Sequence, residues 1–140
     1  MATDTMETAV KEIQDLPSVK KAEAEVVVLD YEVPSWRGLK YPTKKYYPTL
    51  LLPENHPVLN SGVKTYEGLF GKKPEISRWV FSTNGVAVMG MHGIPCIGFG
   101  PGNEIYAHMA TEHIPIEHLV KASAWYAAFP LSHIHSTRLK

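Results

Sequence analysis

Apolar residues Met6, Val10, Ile13 and Leu16 recur at helical spacing behind Asp4-x-x-Glu7, a capping-box spacing with aspartate in the usual serine or threonine place. The pattern predicts a first helix that Pro17 ends. Lys20 to Glu25 is a polar connection, and Val26-Val27-Val28-Leu29 predicts a strand over about residues 25–31. Between Val33 and Pro53 the texture changes: four prolines punctuate a Tyr- and Lys-rich stretch in which only Thr49 to Leu52 reads as a short strand. That change places a boundary near Pro34 to Lys45.

Asn55-His56-Pro57 then opens a helix whose face carries Leu59, Val63, Tyr66 and Phe70. Gly71 stands where a left-handed C-terminal cap is expected, and Pro74 forbids continuation. Arg78 to Phe81 reads as a strand, Thr83-Asn84-Gly85 as a turn, and Val86 to Met89 as a short helix stopped by Gly90 and Gly93. Ile94 to Phe99 is a near-continuous apolar run, the pattern of a parallel strand covered on both faces. A glycine loop follows, then after Pro115 a mostly buried helix with Leu119, Ala122, Ser123 and Tyr126 on one face, and a frayed tail from Ser132 to Lys140. From residue 56 onward the order is helix, strand, short helix, strand, helix, which is an α/β pattern.

The 140 residues carry 14 Lys+Arg against 14 Asp+Glu, a formal net charge of +0. That balance argues against nucleic-acid binding, which wants a basic face. Tyr41, Tyr46 and Tyr47 among Lys40, Lys44 and Lys45 mix base with aromatic, and in a neutral chain read as a solvated linker. No apolar run approaches the ~20 residues of a membrane span, and the start has neither the basic nor the apolar part of a signal peptide. The expectation is a cytoplasmic protein without membrane partners. Cys96, the single cysteine, sits in an apolar run and reads as a small buried hydrophobe.

Two clusters invite chemistry. Gly98-Phe99-Gly100-Pro101-Gly102 fails as a dinucleotide fingerprint, because a proline interrupts it and no helix follows directly. In His108-Met109-Ala110-Thr111-Glu112-His113, His108 and Glu112 stand four apart and on a helix would face one metal, although Gly102 and Pro115 leave little room for a helix. Glu104 or His113 would be further ligands of a mononuclear site. His56 reads as helix-capping, His92 as part of a helix-terminating turn, and His133-x-His135 as solvated.

Residues 78–85 (Arg-Trp-Val-Phe-Ser-Thr-Asn-Gly), 93–102 (Gly-Ile-Pro-Cys-Ile-Gly-Phe-Gly-Pro-Gly) and Ala107-His108 with Glu112 four residues on resemble, in order and spacing, the C-terminal end of a metallopeptidase superfamily. It contains acetylornithine deacetylase, succinyl-diaminopimelate desuccinylase, aminoacylase and glutamate carboxypeptidases, and the nearest branch is the selenium-metabolism hydrolases. The resemblance implies a hydrolase of C–N amide bonds in small amide or peptide substrates, with two zinc ions activating a bridging water and a glutamate shuttling the proton. It implies an α/β fold in which residues 1–34 are a remnant of the inserted lid (dimerisation) domain and residues 35–140 the C-terminal portion of a zinc-peptidase-like catalytic domain. By position, His108 matches the last metal ligand, Glu112 a residue that positions it, and Thr83, Asn84 and Gly85 a loop bordering the substrate.

The family's His-x-Asp motif, bridging aspartate and Glu-Glu pair with the general base have no counterpart here: the three aspartates are Asp4, Asp15 and Asp30, and no Glu-Glu occurs. A catalytic zinc wants about three protein ligands. The expectation is therefore a fragment, inactive alone, that needs a complementing N-terminal catalytic chain or a homo-oligomer. The alternative is a non-catalytic binding or assembly module that folds by itself.

Overall fold

A computed structural model describes residues 4–79 and 81–138, with side chains described as far as residue 136. The chain divides into two units, Met1–Leu51 with Val86–Gly93, and Leu52–Gly85 with Ile94–Lys140.

In the first unit, α1 (Met6–Gln14) is capped by Thr5 rather than Asp4, through a reciprocal pair with Thr8: Thr8 N–H donates to Thr5 Oγ1 at 3.2 Å and Thr5 N–H to Thr8 Oγ1 at 2.7 Å. Pro17 does more than end α1. It occupies the first turn of α2 (Pro17–Lys21), where its missing N–H costs nothing. The strand expected over 25–31 shrinks to β1 (Asp30–Tyr31), antiparallel to β2 (Thr43–Lys44). Lys44 Nζ closes that pair on Asp30 Oδ1 at 2.8 Å. Val86–Met91 winds as a π-helical turn, and Gly90 is required there, since an added Cβ would stand 2.8 Å from the Pro48 carbonyl oxygen.

The second unit is built on α3 (Pro57–Phe70) and α4 (Ile116–Arg138), which pack on each other. The ends of α3 are as the sequence predicts. His56 Nδ1 accepts from Val58 N–H at 3.2 Å, and Gly71 closes the helix at φ 67°. Helix α4 runs on through Pro130, so the stretch read as a frayed tail is helical as far as Arg138, while residues 139–140 lie outside the described part. His133 is not solvated: its Nδ1 lies 3.0 Å from Oγ of Ser61, a side chain only 3% exposed on α3. His135 is exposed, as expected. Between the helices Phe99, Trp125 and Phe129 stack at 4.3 and 4.6 Å, and the Tyr126 hydroxyl donates to the Phe99 carbonyl.

Thr49–Leu52 and Ile94–Phe99 form no strands among the described residues, nor does the segment around Trp79 and Phe81, where Val80 lies outside them. A strand exists through the ladder to its neighbour; among the described residues these β-prone runs take part in no ladder. Burial is correspondingly thin. Val86, Ala122 and Trp125 are the buried apolar residues among those described, while Ile94, Ile116 and Leu131 stand 57%, 79% and 71% exposed. The accessible surface is 11224 Å².

Candidate functional site

The loop from Gly98 to Pro115 carries the candidate residues, and each end is fixed by something specific. At its start the indole of Trp79 packs so close on Gly98 that any Cβ there would collide with its ring carbons. Further on, Gly102 adopts φ 101° and its N–H donates to Nδ1 of His118, in the first turns of α4, at 3.3 Å. Asn103 Oδ1 accepts from Ile105 N–H at 3.1 Å and starts a 3-10 turn, Glu104–Tyr106. The chain then descends by successive turns, with Met109 N–H bonded to the Tyr106 carbonyl at 3.1 Å and Glu112 N–H to the Met109 carbonyl at 3.0 Å.

Within this staircase His108 holds a left-handed backbone, φ 65°, a conformation that disfavours a side chain by about 1–2 kcal/mol. What holds it is Glu112, whose Oε2 accepts from the His108 N–H at 3.1 Å. The pair four residues apart therefore meets, but through carboxylate and backbone across a turn rather than through two side chains on a helix face. The His108 ring is exposed and meets the edge of Phe81 at 6.2 Å between centroids. His113 donates Nδ1–H to the Thr111 carbonyl at 2.8 Å, since that oxygen can only accept, and its ring packs on Tyr106 at 4.4 Å.

Beside this turn lies a groove of about 200 Å³, lined by Trp79 and Phe81 on one side and by residues 100–104, Ala107, Glu112, His113 and Ile114 elsewhere. Thr83, Asn84 and Gly85 are not among its lining residues. They form their own turn, in which Gly85 N–H donates to Thr83 Oγ1 at 3.1 Å. The Trp79–Phe81 pair and the His118 tether went unremarked as site features in the sequence. The Trp-x-Phe alternation was the available signal for the first, and the position of His118 just past Pro115 for the second.

As a metal centre the present residues do not suffice. No three His, Cys, Asp or Glu side chains come together as a cation site among the described residues, and one oxygen of Glu112 is already committed to the His108 N–H. Neither a dizinc site nor the mononuclear site with Glu104 or His113 is assembled from this chain's described side chains.

The chain is 53% identical over 129 residues to the uncharacterized protein YgeY of Escherichia coli K12, and equally to its counterpart in Escherichia coli O157:H7. The match takes in 92% of this chain and 32% of each relative. The chain thus spans about a third of the length of the curated relatives it matches. No family model matches it, and no solved structure does.

Proposed function

We propose that this chain is a C-terminal piece of a metal-dependent amide hydrolase, in which His108 supplies one imidazole to a zinc site otherwise built by residues outside the chain. The observation that carries the reading is the His108 turn. A histidine held in left-handed backbone by a carboxylate four residues on is a strained arrangement, and such strain gathers where a side chain must be aimed. Glu112 is the positioning residue of that turn. Among the described residues no three His, Cys, Asp or Glu side chains gather as a cation site, so no catalytic step is assigned to this chain.

Two further facts support the fragment reading. Curated relatives are about three times as long as the matched segment. Ile94, Ile116, Val120 and Leu131 stand exposed, as expected of apolar positions covered by residues outside this chain. The same openness weighs against the alternative, a binding or assembly module folding by itself. Substrates of the assembled protein would be small amides or peptides, and its location the cytoplasm; no helix among the described residues is long and apolar enough to cross a membrane.

The test is the zinc content and amidase activity of the purified chain, alone and co-expressed with the first two thirds of the Escherichia coli relative. Alone it should bind zinc weakly and turn over no N-acyl amino acid. Co-expressed, it should acquire stoichiometric zinc that His108→Ala reduces. Two zinc ions and turnover in the chain alone would sink the proposal.

A further inference from the structure

The sequence reading leaves Trp79 and Phe81 with no role beyond a strand, yet they form none among the described residues and neither is buried. Trp79 is 43% exposed, and the two rings stack at 5.7 Å with planes 10° apart. Val80 between them is outside the described residues, but the outcome at either side is plain: both indole and phenyl line the groove. The shelf they make is anchored at one end and directed at the other. Gly98 leaves room for the indole to lie against the backbone, and no other residue would. Phe81 turns its ring to the edge of His108 at 6.2 Å. The lining also includes the glycine and proline backbone of Gly100 to Gly102, with Ile114 beside Gly102. A groove that offers two aromatic rings and bare backbone accepts a flat group and offers an aliphatic one fewer contacts.

The charge of the lining narrows the class further. Glu104 and Glu112 contribute two carboxylates, and no lysine or arginine lines the groove among the described residues. An anionic group there would meet like charge at short range, whereas a neutral aromatic would not.

We infer that the groove beside His108 is a subsite for a planar aromatic side group that carries no negative charge, packed against Trp79 and Phe81. The inference deepens the hydrolase reading by naming the substrate side group next to the reacting amide. It rests on that reading for its meaning in catalysis, but the binding itself needs no metal and is tested without one.

The experiment is a titration of the ¹⁵N-labelled chain with N-acetyl-L-phenylalaninamide, following the indole N–H resonances of its three tryptophans. The resonance that Trp79→Leu removes should shift saturably, and the aromatic amide should bind roughly three- to tenfold more tightly than N-acetyl-L-leucinamide. Gly98→Ala, which drives the indole off its seat, should erase that preference while the Trp125 resonance stays in place. Phe81→Leu, which leaves the backbone alone, should reduce it. N-acetyl-L-phenylalanine with its free carboxylate should bind more weakly than the amide, and Glu104→Gln should narrow the gap. Equal affinity for the aromatic and aliphatic amides, or a response at Trp36 or Trp125 with none at Trp79, overturns the inference. A zinc titration of His108→Ala run beside it separates the two ideas: aromatic preference with no zinc effect keeps the subsite and discards the metal reading, and the reverse result does the opposite.

Discussion

The indole nitrogen of Trp125 donates to the carbonyl of Gly62 at 3.2 Å, a bond that ties α4 to the middle of α3. An added Cβ there would stand 2.6 Å from Ile97 Cδ1 and 3.3 Å from the Trp125 ring. Glycine in mid-helix is normally a weakness of about 1 kcal/mol relative to alanine. Here it is what lets a large indole reach 4% exposure.

Gly62→Ala should therefore destabilise the second unit by about 1–3 kcal/mol, the overpacking cost exceeding the gain in helix propensity. Trp125→Phe keeps a ring but removes the donor and should cost about 1 kcal/mol. Urea unfolding followed by far-ultraviolet circular dichroism measures both. A Gly62→Ala chain as stable as the parent would mean that this contact is not what joins α3 to α4.

What was legible in the sequence follows the range of the interaction involved. Helix α3 could be read to the residue because its signals are local: His56 as cap, Pro57 at the first turn, Gly71 in the left-handed stop. The strands could not, because a β-prone run such as Ile94–Phe99 becomes a strand only beside a partner, and the sequence of one run says nothing of whether a partner is present. The polar stretch from Ser132, read as a frayed tail, misled in the other direction, since α4 runs through Pro130 to Arg138. A proline forfeits one helical hydrogen bond, which a 23-residue helix packed along α3 outweighs. At the candidate site the spacing of His108 and Glu112 was right about their meeting and wrong about its form. Four residues apart on a helix pairs side chains, but between Gly102 and Pro115 the same spacing spans a turn and pairs a carboxylate with a backbone N–H.

The left-handed backbone of His108 separates stability from function in a testable way. Glycine adopts φ 65° without steric cost, so His108→Gly should leave the chain as stable as the parent or more stable by up to about 1 kcal/mol. The same change removes the imidazole and should lower zinc uptake in the co-expressed complex, as His108→Ala does. Glu112→Gln should retain part of the tie to the His108 N–H through its carbonyl oxygen, and Glu112→Ala none. The order of zinc affinity expected is parent, then Glu112→Gln, then Glu112→Ala. Thermal unfolding beside zinc titration decides it, and a His108→Gly chain much less stable than the parent would contradict the assigned strain.

Acid acts on the α1–α2 corner through Asp15. Lys20 donates a hydrogen bond to its carboxylate and adds its charge, at 2.9 Å, and together they hold the Asp15 carboxyl below its ordinary value of 3.8. A carboxyl lowered in the folded chain stabilises it above the unfolded value, and that contribution is lost as pH falls from about 3.8 through the depressed folded value. The pair is solvent-exposed, so the effect on global stability is small and weakens with salt. Carboxyl-carbon NMR should find Asp15 titrating below a typical aspartate, and Lys20→Gln should move it up. No movement in that variant would show that the ion pair does not persist in water.

The last prediction concerns His118, which reaches back from the start of α4 to the glycine loop. Its Nδ1 accepts from the Gly102 N–H at 3.3 Å, so the ring proton must sit on Nε2, which lies 3.9 Å from Glu117 Oε1. Gly102 is held at φ 101°, a conformation with few alternatives for holding the loop against Ile114, and this hydrogen bond is what ties that conformation to the helix. His118→Phe keeps a flat ring of similar bulk and deletes the acceptor. The Gly102 amide should then exchange with solvent roughly fivefold faster, the equivalent of about 1 kcal/mol for one hydrogen bond. Because Gly100 to Gly102 line the same groove as Trp79 and Phe81, the same variant should also weaken the preference for the aromatic amide without moving the Trp125 resonance. Unchanged exchange at Gly102 would show that the loop holds its shape without the imidazole, and that the groove's second wall is set by the glycines alone.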